Sequence, residues 1–233
     1  MAKFRVRDEA GNVIEISPAS KKKVNAIDGR VKTLEDQMSD LLYVPISIES
    51  FAVSPSTAEM GATVTQVTLT WNCNKKPVRV LLDKVEQESG IAGTVTQTNL
   101  DIKSTKTWEI AVADERGKTA HKQARLSFLN GVYYGAAAAP EAYDSAFILG
   151  LKKELRGSKL PSFTVTAGAG QYIYYCLPVR FGTCSFKVGG FDGGFSLATS
   201  EPVAFENESG YTENYYIYKS TNANLGTTTV EVK

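Results

Sequence analysis

Apolar side chains recur along this chain with two different periods, and the change from one to the other divides it. Between Val24 and Leu41 the positions Val24, Ile27, Val31, Leu34, Met38 and Leu41 alternate spacings of three and four, the a/d pattern of a helix that packs against copies of itself. Ser17-Pro18 supplies a start, with a hydroxyl that can accept from free backbone N–H groups and a proline at the first helical position. Val44-Pro45 supplies the stop, because a residue before proline avoids the helical region. With Val24, Val31 and Met38 at a and Ile27, Leu34 and Leu41 at d, the g positions Lys23 and Arg30 face Asp28 and Glu35 at e, as in parallel chains held in register. A helix lying on its own globular domain would carry a wider stripe reaching e or g.

This seam covers about 18 residues, or about 27 Å. Ordering each backbone costs roughly 1–2 kcal/mol against about 1.5–3 kcal/mol per buried a or d side chain. Gly29, at an outward position, removes about another 1 kcal/mol. The expectation is a register-setting clamp, with further association elsewhere in the chain. Valine at a with leucine at d favours two chains, whereas Ile27 at d and Met38 at a weaken that preference and leave three open.

Ahead of the helix, Phe4, Val6, Ile14 and Ile16 alternate on two short runs around a turn at residues 8–12. The pattern predicts a hairpin over residues 1–17, too short to stand alone and therefore expected to lean on a larger body.

From residue 46 to 130 the period becomes two. Val67, Leu69 and Trp71 share a face, as do Val78, Val80 and Leu82, then Trp108, Ile110 and Val112, then Ala124, Leu126 and Phe128. Turn signals separate these runs, and the count of short strands with two inward tryptophans predicts an immunoglobulin-like sandwich over residues 45–130, after a helical stalk over 18–44. Cys73 has the inward parity of Trp71, but the later strand offers Ile110 and no cysteine, so the core is expected to hold by packing alone.

Residues 131–233 hold ten of the eleven tyrosines. A helix is expected from Asp144 or Ser145, with Phe147, Leu151 and Leu155 as its stripe and Gly157 at its end. The remaining runs predict a second β-sandwich, with strands at 163–166, 171–177, 184–188, 195–199, 203–206, 215–219 and 228–232. Tyr172 to Leu177 and Tyr215 to Tyr218 are apolar or aromatic on both faces, which predicts cover by a neighbouring sheet and by another subunit. Tyr172, Tyr174, Tyr216 and Tyr218 are the candidate ligand-binding residues, because aromatic rings stack on sugars. In Val188-Gly189-Gly190-Phe191-Asp192-Gly193-Gly194-Phe195 the Asp-Gly pair predicts a hairpin turn. The fold class is thus mainly β behind a short hairpin and a long helix.

Charge and chemistry narrow the function. Lys+Arg 26 against Asp+Glu 25 gives a net charge of +1, without the basic field that holds nucleic acid. No apolar run approaches the roughly 20 residues that cross a bilayer, and the N-terminus lacks a secretory core, so synthesis in a cytosol and no membrane insertion are expected. His121 is the single histidine and is expected to face solvent, which leaves no second imidazole for a triad or zinc site. Cys73, Cys176 and Cys184 are expected to be packed thiols. Residues 167–171, Ala-Gly-Ala-Gly-Gln, lack the spacing of a dinucleotide loop. The scattered carboxylates Glu201, Glu206, Glu208 and Glu213 define no catalytic pair. Neither enzymatic activity, a metal nor a cofactor is expected.

The order of hairpin, Ser-Pro helix with heptads, immunoglobulin-like block and tyrosine- and glycine-rich β-domain resembles fibre and appendage proteins of tailed-bacteriophage virions. SIESFAVSPSTAEMGATVTQVTLTW, ADERGKTA, LSFLNGVYYG, VGGFDGGFSL and SGYTENYYIYKS carry the likeness. The resemblance implies a homotrimer on the virion surface, made in the host bacterial cytoplasm. Its N-terminal piece would anchor on a capsid or tail protein and its C-terminal domains would project toward cell-surface glycans. So short a stalk resembles a capsid (head) fibre more than a long tail fibre; a tail or baseplate receptor-binding protein is the alternative, and a carbohydrate-active enzyme working through Glu201, Glu206 and Glu213 the more distant one.

Overall fold

The computed structural model describes residues 4–7, 9–16 and 18–233 and divides into two compact units, Met1–Pro45 and Ile46–Lys233. In the first unit, β1 (Phe4–Arg7) pairs antiparallel with β2 (Val13–Ile16) and is followed by α1 (Pro18–Leu42). The hairpin and the helix stand as the spacing predicts; the Ser17 cap lies outside the described residues. The charges of α1 run against its macrodipole, with Lys21, Lys22 and Lys23 near the N-terminal end and Asp36 and Asp40 near the C-terminal end. Such a helix gains little from its own charges and depends on burying its stripe.

The second unit begins with β3 (Ile48–Ser54), β4 (Thr57–Glu59), β5 (Val67–Cys73), β6 (Arg79–Leu82), β7 (Val85–Gln87), β8 (Ala92–Gln97), β9 (Lys106–Ala113) and β10 (Thr119–Ala137). It continues with α2 (Ser145–Leu149), β11 (Lys152–Arg156), β12 (Ser162–Ala167), β13 (Tyr172–Pro178), β14 (Phe186–Val188) and β15 (Phe191–Asp192). The last strands are β16 (Phe195–Leu197), β17 (Val203–Glu206), β18 (Thr212–Ser220) and β19 (Gly226–Val232). A sheet β3-β5-β8 faces the β9-β6-β7 end of a ten-stranded sheet, and β12-β19-β14-β15 faces its β16-β18-β13-β10 end. The fold is therefore mainly β, an immunoglobulin-like sandwich followed by a second sandwich.

The first core holds Val67, Leu69 and Trp71 from one sheet against Val80, Leu82, Trp108, Ile110, Val112, Ala124 and Leu126 from the other. Alternation placed these correctly, except that Val78 precedes β6 and is 58% exposed. Phe128 is partly buried against this core. Trp108 Nε1 donates to Gln97 Oε1 at 3.2 Å. Trp71 lies so close to Gly93 that a Cβ there would stand 2.0 Å from its ring. Cys73 is buried and free, in a core without a disulfide.

The divide expected at residue 130 falls inside β10, whose 19 residues belong to both sandwiches. Thr119 to Leu126 pair with β9, Asn130 to Tyr134 with β11, and Tyr133 to Ala137 with β13. Polar contacts reinforce the joint. Lys153 Nζ bridges Glu59 at 2.9 Å and Glu208 at 2.8 Å, Tyr133 donates to Glu59 at 3.3 Å, and Asn207 Nδ2 donates to the Met60 carbonyl at 2.8 Å. Buried Asn130 is held between Arg180 and Glu213, which themselves pair at 2.8 Å.

The helix expected from residue 144 to 157 is a single turn. Asp144 caps it as predicted, accepting from the Phe147 N–H at 2.9 Å, and Gly150 closes it by donating to the Ala146 carbonyl at 3.1 Å. Residues 152–156 instead form β11, because the free edge of β10 offers them a full antiparallel register, Leu155 opposite Gly131. Both faces of the tyrosine-rich strands are covered by the same chain. Ile173, Tyr175, Leu177 and Tyr218 pack against Phe163, Phe186, Val230 and Val232. Tyr174, Cys176, Tyr215 and Ile217 pack against Ile148 and Phe205 on the opposite side.

Candidate functional site

The six a/d side chains of α1 all stand open. Val31 is the least exposed at 47%, and Leu41 reaches 90%. A helix with one apolar stripe loses its hydrophobic contribution while that stripe is wet. Val24, Ile27, Leu34 and Met38 between them complete a continuous seam, flanked by exposed Lys23, Asp28, Arg30 and Glu35. The geometry suits parallel copies of the same helix, in which each basic g side chain meets an acidic e side chain.

In the hairpin, the register sets Phe4 opposite Ile16 and Val6 opposite Ile14. Val6 is 46% exposed; the side chains of Phe4, Ile14 and Ile16 lie outside the described residues. A two-stranded hairpin with exposed apolar residues needs a second surface to become stable.

The tyrosines proposed as a ligand platform are not one surface. Register places Tyr175 opposite Tyr218 and Leu177 opposite Tyr216, so Tyr216 and Tyr218 share a face with the second core. Tyr172 and Tyr174 belong to the third core, on the other side of the sheet. Tyr174 is fully buried, edge-on to Phe147 at 4.8 Å and within 3.5 Å of the Tyr143 hydroxyl. Tyr218 is buried and its hydroxyl accepts from the Cys184 N–H at 3.0 Å. Tyr172 is half-buried beneath Lys219, whose Nζ lies 3.9 Å from the ring centre. Counting aromatic positions could not reveal this, because the offset between β13 and β18 decides which rings share a face.

Burial pushes the hydroxyls of Tyr133, Tyr174, Tyr175 and Tyr215 well above the usual tyrosine range. These groups serve as fixed donors and acceptors: Tyr215 donates to the Gly131 carbonyl at 2.8 Å, and Tyr175 accepts from the Leu160 N–H at 2.9 Å. Cys176 is raised by burial alone, and Cys184 is pushed to about 11 by burial, against a smaller opposing pull from Lys159. Neither is a ready nucleophile. His121 faces solvent, 3.6 Å from Glu109. Among the described residues no group of three or more His, Cys, Asp or Glu could hold a metal ion, and no helix is long and apolar enough to cross a membrane.

One exposed feature escaped the sequence reading. The tight turn joining β14 to β15 is Gly189-Gly190, at φ 58° and 91°, rather than Asp192-Gly193. Two successive positive φ values make the reversal that suits a two-residue hairpin. Gly193 and Gly194, at φ 97° and 82°, then carry the chain from β15 at the edge of one sheet to β16 in the other. Between the two glycine pairs Phe191 is 81% exposed. An aromatic residue isolated between Gly-Gly pairs was the available signal.

No protein-family model matches the chain, and no curated protein matches it. Among solved structures it is similar to the N-terminal eight Ig domains of Down Syndrome Cell Adhesion Molecule, at 12% identity and a TM-score of 0.25, over 77% of this chain and 23% of that one. It is also similar to chitinase ChiA74 from Bacillus thuringiensis, at 9% identity and a TM-score of 0.25 over 79% and 26%. A third likeness is to alpha-L-rhamnosidase from Dictyoglumus thermophilum, at 10% identity and a TM-score of 0.23 over 80% and 24%. The chain spans about a quarter of the length of each. Likenesses at these TM-scores carry no functional argument.

Proposed function

We propose that this chain is a homotrimeric surface fibre of a tailed-bacteriophage virion, carried on the head. Its N-terminal hairpin, through Phe4, Val6, Ile14 and Ile16, docks on a capsid protein; α1 clamps the chains in register; and the β-unit is displayed outward for weak attachment to host-surface or environmental glycans. The observation that carries this reading is the wet heptad seam of α1, beside a β-unit that buries its own aromatic strands. The open seam calls for partners and the tyrosine-rich strands do not, as a fibre with a separate clamp and a self-sufficient display end requires. The sequence resemblance supplies the virion, and with it the trimer in place of the dimer that the a/d residues also permit.

Mass measurement of the full chain at micromolar concentration tests assembly, with three copies expected and a monomer overturning the reading. Labelled antibody on intact particles tests position. Signal over the head is expected, and signal confined to the tail would make the protein a tail or baseplate receptor-binding protein with the same architecture.

A further inference from the structure

The glycine-framed corner at β14–β16 forms a cleft of about 250 Å³ with the β18–β19 loop. Its lining combines Val188, Phe191 and Leu225 with Asp192, Thr221 and Asn222. Phe191 presents an almost free ring, and the Asp192 side chain is 82% exposed, with Lys187 Nζ 4.0 Å away. The frame is fixed although the tip is wet. The Gly193 N–H donates to the Phe186 carbonyl at 2.7 Å, and the Thr221 N–H donates to the Gly194 carbonyl at 2.9 Å. A Cβ on Gly194 would meet Val188 Cγ2 at 2.9 Å, so the glycine keeps the floor of the cleft in place.

The geometry points to a monosaccharide subsite in this cleft, with the apolar face of a pyranose ring on Phe191 and its hydroxyls on Asp192, Thr221 and Asn222. One aromatic ring beside a carboxylate, a hydroxyl and an amide suits a ligand that is apolar on one face and rich in hydroxyls at its rim. A protein partner would call for an apolar patch of several hundred Å², and the cleft offers a single large ring. The small volume suits one sugar residue of a longer glycan, and repetition on three chains would raise weak contacts to useful avidity. Phe191 is held by turns on both sides, so little ordering opposes binding.

The inference rests on the reading of this chain as an attachment fibre, and replaces Tyr172, Tyr174, Tyr216 and Tyr218, two of them buried and two half-buried, as the point of contact. The test applies the full-length chain, and its Phe191→Ala and Asp192→Asn variants, to an array of bacterial capsular, lipopolysaccharide and mucin-type oligosaccharides. Solution titration then follows with a retained oligosaccharide. Wild type is expected to retain a subset, with affinity lowered about tenfold or more by Phe191→Ala and less by Asp192→Asn. Melting temperature and assembly mass should be unchanged, because both side chains are exposed. A wild type that retains no glycan, equal affinities in all three proteins, or a changed assembly mass in Phe191→Ala would each overturn the subsite. A monomeric wild type that still binds through Phe191 would overturn the fibre and leave the subsite standing.

Discussion

In β13 and β18, apolar and aromatic side chains leave the backbone on both faces and are buried on both; in α1 they leave on one face and are wet. Both regions exceed what a surface element needs, and both raise the expectation of contact between subunits. The difference lies in what the same chain can bring over them. A central strand has two faces that other elements can cover, here β12, β14 and β19 on one side and α2, with the Phe205 ring of the neighbouring strand β17, on the other. A helix with a narrow stripe stays open in this chain, and under the proposed fibre its matching surface is another copy. Excess apolar character thus marks a core where the topology doubles back and an open stripe where it does not.

The comparison breaks most severely if Tyr174→Ala is tolerated. Removing a fully buried ring from the third core should cost about 3–5 kcal/mol, read as a large fall in the denaturant midpoint, while the mass of whatever folded protein remains is unchanged. Leu34→Glu should do the reverse. Placing like charges in the seam should yield monomers by light scattering and leave the unfolding of the β-unit where it was.

Gly93→Ala should cost about 1–3 kcal/mol, because the new methyl group would enter the space of the Trp71 ring; unchanged melting would show that the indole can move aside.

The smallest effect concerns the Glu59–Lys153–Glu208 joint. Its hydrogen bond with Lys153 holds Glu208 below the usual glutamate range. Burial pulls Lys153 down, but its bonds to Glu208 and Glu59 outweigh this and hold it above its usual range. A depressed carboxylate stabilises the fold above its ordinary pKa and loses that contribution as pH falls through the folded value. The melting temperature should therefore decline in acid, and Lys153→Met should flatten this decline by a small amount, because the Glu208 side chain is 68% exposed and solvent screens its pairing.

Much of this comparison was readable before any coordinates. Spacings of three and four located the seam, and period two located most of the strands, with residues 203–206 matching β17 at both ends, but not β3, β4, β7, β8, β11 or β15. What the pattern could not carry was pairing. Leu151 and Leu155 have helical spacing with Phe147, yet the open edge of β10 claims residues 152–156 as β11. The two tyrosine pairs look alike in sequence, yet the β13–β18 register puts them on opposite faces. Asp192-Gly193 has the stronger turn composition, but Gly189-Gly190 supplies two positive φ values where the hairpin closes. Each miss is a long-range choice between locally acceptable options.

Strand β10 has a mechanical consequence for any protein that holds on at one end. At about 3.3 Å per residue its 19 residues form one backbone of roughly 60 Å. Cross-strand bonds to β9, β11 and β13 lie along that length. Tension directed along it would load these bonds side by side, in shear, instead of opening them one after another like a zip. The two sandwiches share that strand, so neither can yield without withdrawing the other's central pairing, and under pull they should give way as a single body.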